Sequence, residues 1–297
     1  MPEVRIDPLT GYRVIVATSD GLPGAGGAGA PDVDDRTDGV HMSSDGLASP
    51  RFAPVLTPDA PAPEPSAQPD LFWAGPADGI DELIEVDAPV SSIGELPVQE
   101  AVATVDGWRE RMRAHPDASC LHLYSDERPA VRASARLIAL DFVPSAIARE
   151  RERFRGYATR TMGGNLLGDL LQQEVRRRER IVAIDSEAVL LSAYAARAPY
   201  QLMLVPRTPR MRFEDDGPTG AALLHGAIGR LAALLGAIPP LSLWVRTAPQ
   251  GSEHFCWRVD VMPQLPGHRE GGLELGAGLA YNPVSPEAAA AALREAG

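Results

Sequence analysis

The spacing of apolar side chains separates a patterned part of the chain, from about residue 79 onward, from a poorly patterned first 78 residues. Within 97–114, apolar residues recur every three or four positions, which predicts an amphipathic helix. Further helices are predicted after Pro144, around 166–175 and over Ala221–Leu235. A last helix is predicted to start at Ser285, because this serine precedes a proline in the first turn.

Shorter runs, either apolar or alternating, predict the strands. These runs lie at 14–16, 81–86, 120–124, 136–142, 180–184, 188–192, 200–205, 241–247, 255–262 and 272–275. Strands and helices therefore alternate in groups along the chain. This order predicts an α+β fold with a largely antiparallel sheet flanked by helices.

The first 78 residues are predicted to form a partly ordered, Gly/Pro-rich N-terminal section. A turn is predicted at 7–11, before the strand at 14–16. The segment 21–35 is rich in Gly, Ala and Asp, which predicts a mobile loop, and the Pro-rich segment 54–69 is predicted to be extended or disordered.

The amino-acid composition excludes several classes of function. All 28 basic residues of this 297-residue chain are arginine, which excludes chemistry that depends on a lysine amine. The net charge of −12 argues against a nucleic-acid partner but allows a local basic pocket for a small anion. No apolar run reaches the roughly 18–20 residues that span a bilayer, and the N-terminus lacks the apolar stretch of a signal peptide. We therefore expect a cytoplasmic protein without membrane contact.

The two cysteines, Cys120 and Cys256, are far apart in the sequence, and each lies in an apolar segment. A reducing compartment disfavours a disulfide between them. The absence of a Cys-x-x-Cys motif argues against a thiolate zinc site. The sequence thus predicts no structural metal and no cofactor.

Four groups of segments, in this order, resemble the galactose-1-phosphate uridylyltransferase family, a branch of the histidine-triad superfamily. They are Arg5-Ile6-Asp7-Pro8-Leu9-Thr10-Gly11 with Val14-Ile15-Val16; Gly79-Ile80-Asp81-Glu82; Tyr194-Ala195-Ala196-Arg197-Ala198-Pro199-Tyr200 with Val205-Pro206-Arg207; and Gly272-Leu273-Glu274-Leu275-Gly276 with Asn282-Pro283-Val284-Ser285-Pro286-Glu287. The resemblance implies two histidine-triad-like halves, here 79–178 and 179–297, that share one antiparallel sheet. It also implies a homodimer.

The same resemblance locates the family's chemistry and shows that this chain departs from it. The family carries two histidines, one residue apart, and then a Gln at the entry to a strand; the second histidine attacks the α-phosphate and holds the nucleotidyl group. The matching stretch here is Arg132-Ala133-Ser134-Ala135-Arg136. Ser134 therefore occupies the nucleophile position and becomes the candidate catalytic residue. Arg132 replaces the first histidine, and Arg136 replaces the Gln.

Three other family histidines are also replaced. The histidine before Thr-Ala-Pro is Arg246, and the two around the tryptophan strand are Cys256 and Arg258. The resemblance therefore implies that both metal sites of the family are absent. The predicted substrate-binding residues are Arg132, Arg136, Arg246 and Arg258, together with Ser125 at the start of the shortened turn before the motif.

Arginine keeps a cation and a fork of donors but is not a titratable nucleophile. We therefore predict a repurposed small-molecule enzyme whose Arg-lined pocket binds a phosphate, a nucleotide or a carboxylate without a histidyl–nucleotide intermediate. The alternative is a catalytically inactive binding or regulatory protein on the same scaffold. A nucleophilic Ser134 would need a base, for which His122 and His254 are the candidates. The charged run 149–155 is predicted to be a solvated helix face.

Overall fold

The computed structural model describes residues 2–17, 79–265 and 272–297. Its strands are β1 (Glu3–Ile6), β2 (Arg13–Val16), β3 (Gly79–Glu85), β4 (Cys120–Glu127), β5 (Ser134–Leu140), β6 (Ile181–Ile184), β7 (Ala188–Leu191), β8 (Leu202–Pro206), β9 (Leu241–Arg246), β10 (Arg258–Pro263) and β11 (Leu279–Asn282). Its helices are α1 (Val98–Arg113), α2 (Ser145–Thr161), α3 (Leu166–Arg177), α4 (Ala221–Leu235), α5 (Gly272–Ala277) and α6 (Pro286–Glu295). The predicted α+β class is confirmed.

Eight strands form one sheet in the order β3-β5-β4-β9-β10-β8-β7-β6, and every neighbouring pair is antiparallel. The central β4–β9 pair joins strands that are distant in sequence, so one continuous sheet carries both parts of the chain. A second sheet, in the order β1-β2-β11, joins the N-terminal residues to the C-terminal ones.

One face of the large sheet packs against α1, α4 and α6. The alternating positions of each central strand turn apolar side chains to this face, as with Leu121 and Leu123 of β4 and Leu241 and Leu243 of β9. A mainly apolar helix such as α4 suits this position because the sheet covers one of its sides and neighbouring helices cover others. This layer is the main core.

On the opposite face, α2 and α3 pack over the β8–β7 side of the sheet. Phe154 of α2 contacts Phe255 with ring centroids 4.8 Å apart, and Leu167 and Leu171 of α3 join Met203 and Val205 in the same cluster. The opposite end of this face, over β5, β4 and β9, carries polar and aromatic side chains that are only partly buried. The candidate site lies there.

Three local predictions were wrong or incomplete. The segment predicted as a strand at 272–275 is the short helix α5, and the strand β11 follows it. The strand was predicted from the alternating leucines, Leu273 and Leu275. Both are exposed in the structure, so their spacing does not mark a buried face. Strand β1 was not predicted at all. The predicted strand at 255–262 begins only at Arg258, since the backbone N–H of Trp257 donates instead to the carbonyl of Arg210.

The predictions for 21–35, 54–69 and most of the N-terminal section lie outside the described residues. The boundary between the two predicted halves, at 178/179, stays a prediction. Within the ranges that the structure describes, no helix combines the length and the apolar character needed to cross a membrane.

Candidate functional site

Three of the predicted arginines point to the same face of the sheet. In an antiparallel ladder, residues directly opposite each other share a face. Arg136 lies opposite Tyr124, Tyr124 lies opposite Trp244, and Arg246 lies opposite Arg258. Because alternate residues of a strand share a face, these side chains all lie on the face opposite the main core. The predicted convergence of Arg246 and Arg258 is therefore seen in the structure.

Ser134 is the first residue of β5, partly buried, on the same face as Arg136 and opposite Glu85 of the edge strand. His122 lies opposite Ile138, four residues further along β5. That offset is roughly 13 Å at the rise of a strand, so His122 does not reach the Ser134 hydroxyl directly. His254 instead lines a cavity of about 220 Å³ with Arg151 and other residues, Ser134 not among them. Neither candidate base therefore pairs with Ser134, whose catalytic role stays a prediction.

Arg132 and Arg136 lie towards the β3 edge of the sheet and have partners there. Arg132 donates from Nε and Nη2 to the Val86 carbonyl at 3.2 and 2.8 Å, and its Nη1 is 3.5 Å from a Glu85 carboxylate oxygen. The Arg136 guanidinium donates to Asp81 at 2.9 Å. These ion pairs are about half exposed and contribute little to stability. Binding roles for both arginines stay predictions.

Ser125 lies apart from the other predicted binding residues. It is opposite Leu243, on the core-facing side of the sheet, and its side chain is buried. Its hydroxyl donates to the carbonyl of Ser134 at 2.8 Å. This contact fixes the start of β5 against β4, so Ser125 supports the backbone of the motif rather than facing the arginines.

Arg258 is buried and held by two carboxylates. Its Nε donates to Asp260 at 2.9 Å, and its two Nη groups face Glu150 of α2, with Nη2 at 3.3 Å. Burial by itself would lower the pKa of Arg258. The charges and hydrogen bonds of Glu150 and Asp260 outweigh burial and hold that pKa above its usual range. Arg258 therefore has its counter-charges within the chain.

The burial of Glu150 corrects the prediction that 149–155 is a solvated helix face. The Glu150 side chain is 1% exposed, whereas Glu152 is 50% exposed and pairs with Arg155 at 2.6 Å. Glu150 shares its helix face with Ile147, Phe154 and Ala158, which all point into the protein. Its place in this three-to-four-residue pattern was the signal that could have identified it.

Arg246 differs from the other predicted arginines, because it forms no ion pair within the described ranges. Its Nε is buried and finds no hydrogen-bond partner there. Burial, and then the charge of Arg258 opposite, lower the pKa of Arg246; Glu150 and Asp260 act on it only as more distant charges. The guanidinium thus has donor capacity that its surroundings leave unused.

Two more unpaired nitrogens lie beside Arg246. His122 Nδ1 and Trp244 Nε1 are buried atoms without a hydrogen-bond partner in the described part of the chain. Trp244 is two residues before Arg246 on β9, and the β4–β9 register, continued by two residues, places His122 opposite Arg246. The His122 ring also stacks on Tyr124, with centroids 5.6 Å apart and planes inclined by 23°. We call His122, Trp244 and Arg246 the Arg246 patch.

The imidazole of this patch is neutral near pH 7. Burial, and then the charge of Arg246, lower the pKa of His122 to about 4. The sequence identified His122 only as a candidate base for Ser134, and it did not identify Trp244 as a site residue. Neither residue shows its unpaired nitrogen in the sequence, because that property depends on what lies opposite in the fold.

Among the residues that the structure describes, no group of three or more His, Cys, Asp and Glu side chains is arranged to hold a metal ion. Cys120 and Cys256 are both buried and free. Whether the purified protein carries zinc stays a prediction.

No protein-family profile matches this sequence. Over 232 residues it is 23% identical to an ADP-glucose phosphorylase of Arabidopsis thaliana, and over 225 residues it is 25% identical to a galactose-1-phosphate uridylyltransferase of Haemophilus influenzae. Each alignment covers 71% of this chain, but only 63% and 64% of the two relatives, so the chain matches just under two thirds of their length.

The structural similarity covers more of the chain than the sequence alignments do. The crystal structure of the ADP-glucose phosphorylase from Arabidopsis thaliana with bound ADP-glucose superimposes with a TM-score of 0.70 at 18% identity, covering 100% of this chain and 99% of the other. The chain is therefore a distant homologue of the galactose-1-phosphate uridylyltransferases and ADP-glucose phosphorylases, and it has their fold.

Proposed function

We propose that this protein binds a phosphate-bearing small molecule at the Arg246 patch and acts on it without a histidyl–nucleotide intermediate. One observation carries the proposal. Three buried nitrogens, at neighbouring positions on one face of β4 and β9, have no hydrogen-bond partner in the described part of the chain. A buried polar group without a partner costs about 1–3 kcal/mol. Ligand oxygens would accept from the guanidinium and the indole N–H and remove much of that cost.

The chemistry of the patch favours an oxyanion. The guanidinium stays charged and presents several N–H donors in a planar fork, which matches phosphate and carboxylate oxygens. The relatives are named for sugar phosphates and nucleotide sugars, and one structure with this fold contains ADP-glucose. These names support a phosphate ester as the ligand class. Ser134 at the family's nucleophile position supports a route other than histidyl transfer.

One observation favours the alternative, a catalytically inactive binding protein. Arg132, Arg136 and Arg258 already have carboxylate partners within the chain. Three of the four arginines at the family's site positions therefore have partners without a ligand. Under this alternative, the patch binds a phosphate ester and releases it unchanged.

Binding is tested by thermal and urea unfolding with ADP-glucose, UDP-glucose or inorganic phosphate. A ligand at a hundred times its Kd is expected to stabilise the wild type by about 2.7 kcal/mol. Arg246→Gln should abolish this stabilisation while the ligand-free variant stays folded, because the change removes a partly buried charge that has no ion-pair partner in the described part of the chain. Arg136→Gln, whose arginine pairs with Asp81, is the matched control and should retain the response.

Two outcomes contradict the proposal. If none of the three compounds stabilises the wild type, the patch is not an oxyanion site. If Arg246→Gln and Arg136→Gln respond equally, binding is not located at the patch. Turnover separates the two functions: an enzyme converts ADP-glucose or UDP-glucose in the presence of phosphate or a sugar phosphate, as followed by chromatography, and a binding protein does not.

A further inference from the structure

The buried charges around the Arg246 patch already balance before any ligand binds. Arg246 and Arg258 supply two positive charges, and Glu150 and Asp260, which act on both arginines, supply two negative ones, so these four side chains sum to zero. Asp7 adds a more distant negative charge that acts on Arg258. An oxyanion that binds beside Arg246 would therefore leave this region with an excess of negative charge. In surroundings of low polarity such an excess is unfavourable unless a proton or a cation enters with the anion.

We propose that His122 takes up a proton when an oxyanion binds to Arg246, so that the patch holds its ligand between a guanidinium and an imidazolium. This inference rests on the proposed function. It adds that His122 is the group that becomes protonated when the ligand binds. The reaction is balanced: the proton comes from solvent, one imidazole nitrogen accepts it, and the ligand keeps its own charge.

The position of His122 suits this role. Its Nδ1 is buried and unpartnered in the described ranges, and the β4–β9 register, continued by two residues, places it opposite Arg246, whose charge acts on it. Once protonated, both ring nitrogens are donors, so the ring could donate to a ligand oxygen beside the guanidinium. Tyr124 stacks on one side of the ring.

The charged and titratable groups on the same side of the sheet as His122 come from its own strand, β4, and from five neighbouring elements. They are Cys120 and Tyr124 on β4, Arg246 on β9, Arg258 and Asp260 on β10, Arg136 on β5 with its partner Asp81 on β3, and Glu150 on α2. Arg136 and Arg258 each have a carboxylate partner, so Arg246 is the cation that opposes a charge on His122. A bound anion would cancel this opposition.

The pH dependence follows from these contacts. In the free protein, burial and the charge of Arg246 lower the pKa of His122 to about 4, so the ring is neutral at pH 7. A bound oxyanion would neutralise Arg246 and accept a hydrogen bond from the ring, which raises the pKa of His122. Affinity should then increase as the pH falls, by up to about tenfold per pH unit where one proton is taken up per ligand.

Sulfate is the appropriate probe, because it stays a dianion across this pH range and cannot itself exchange protons, whereas phosphate titrates near neutral pH. Calorimetric titration of the wild type with sulfate, from about pH 7 to about pH 5, is repeated in buffers that differ in ionisation enthalpy. We expect a net uptake that approaches one proton per sulfate at the acid end of the range.

The variant that removes the titrating group is His122→Gln, which should bind sulfate with no proton uptake and a flat pH dependence. His225→Gln is the matched control, because His225 lies on α4 and bonds to the Leu96 carbonyl at 2.9 Å, away from the patch. It should behave like the wild type. If His122→Gln does not fold, NMR titration of the His122 ring in the wild type, with and without sulfate, gives the same answer through an upward pKa shift.

The outcomes separate the two proposals. Sulfate binding by the wild type without proton uptake, or an unchanged His122 titration, overturns the role of His122 and leaves the binding site intact. A pH slope that persists in His122→Gln overturns it as well. If the wild type binds no sulfate and Arg246→Gln changes nothing, the oxyanion site itself fails, and the proton inference fails with it.

Discussion

Replacing Glu150 with Gln tests the charge arrangement on which both proposals depend. The Glu150 side chain is 1% exposed, and that of its partner Arg258 is 5% exposed. The change preserves the size and shape of the side chain and leaves one amide oxygen as an acceptor. It removes one of the two carboxylates that compensate Arg258, while Asp260 remains 2.9 Å from the guanidinium.

The expected cost can be estimated from the burial of the pair. Breaking a buried ion pair by removing one partner costs about 3–5 kcal/mol, because the remaining charge is left without its partner. Asp260 and the amide oxygen of Gln keep part of the stabilisation, so we expect the low end, about 3 kcal/mol. That is a large share of the about 5–15 kcal/mol by which folded domains are stable.

The assay is urea unfolding at pH 7, followed by circular dichroism and extrapolated linearly to zero denaturant. Glu152→Gln is the control on the same helix, since Glu152 forms an exposed pair with Arg155 and its loss should cost at most about 1 kcal/mol. If the two variants lose the same stability, the Glu150–Arg258 contact is not the buried pair that the structure describes, and the charge count around Arg246 is wrong.

Three further predictions concern the thiols, the metal and the family reaction. Burial raises the pKa of Cys120 to about 11 and that of Cys256 to about 12, so the folded protein holds these protons more tightly than the unfolded chain. This stabilisation is complete below about pH 9 and is lost as the pH rises further; iodoacetamide at pH 8 should label neither thiol in the native protein and both in urea. Elemental analysis of the purified protein should find no zinc, and about one zinc per chain would contradict the sequence argument. Intact-protein mass spectrometry after incubation with UDP-glucose should show no uridylyl adduct, because the resemblance predicts Ser134 at the nucleophile position; a matching mass gain, mapped by peptide analysis, would contradict this.

The main helices and most strands of the fold could be predicted, because their apolar spacing is long or strong enough to fix both type and position. The predicted helix at Ala221–Leu235 matches α4, and the one at 97–114 matches α1 within one residue at each end. The failures are short elements. Strand β1 has four residues and α5 has six, and neither buries a continuous apolar face, so periodicity carries little information there.

The site could be predicted only in part. The resemblance brought Arg246 and Arg258 to one region, and the strand register places them opposite each other. It could not show which arginines find carboxylates, because those partners come from other elements: Asp81 from the edge strand and Glu150 from a helix across the sheet. Pairing is a property of the tertiary structure, and it distinguishes Arg246 from the arginines that are already satisfied.

The two arginines opposite each other on β9 and β10 limit how this region can respond to a ligand. A histidine can lose its charge when its surroundings disfavour it, but an arginine cannot, so each arginine needs a counter-charge within reach. Arg258 has two such partners, Glu150 and Asp260, and Arg246 shares their charge only at a distance. A ligand that occupies Arg246 therefore changes a charge balance that neither arginine can restore by titrating. The group able to restore it is the neutral imidazole across the strand, which is why proton uptake by His122 and oxyanion binding by Arg246 should occur together.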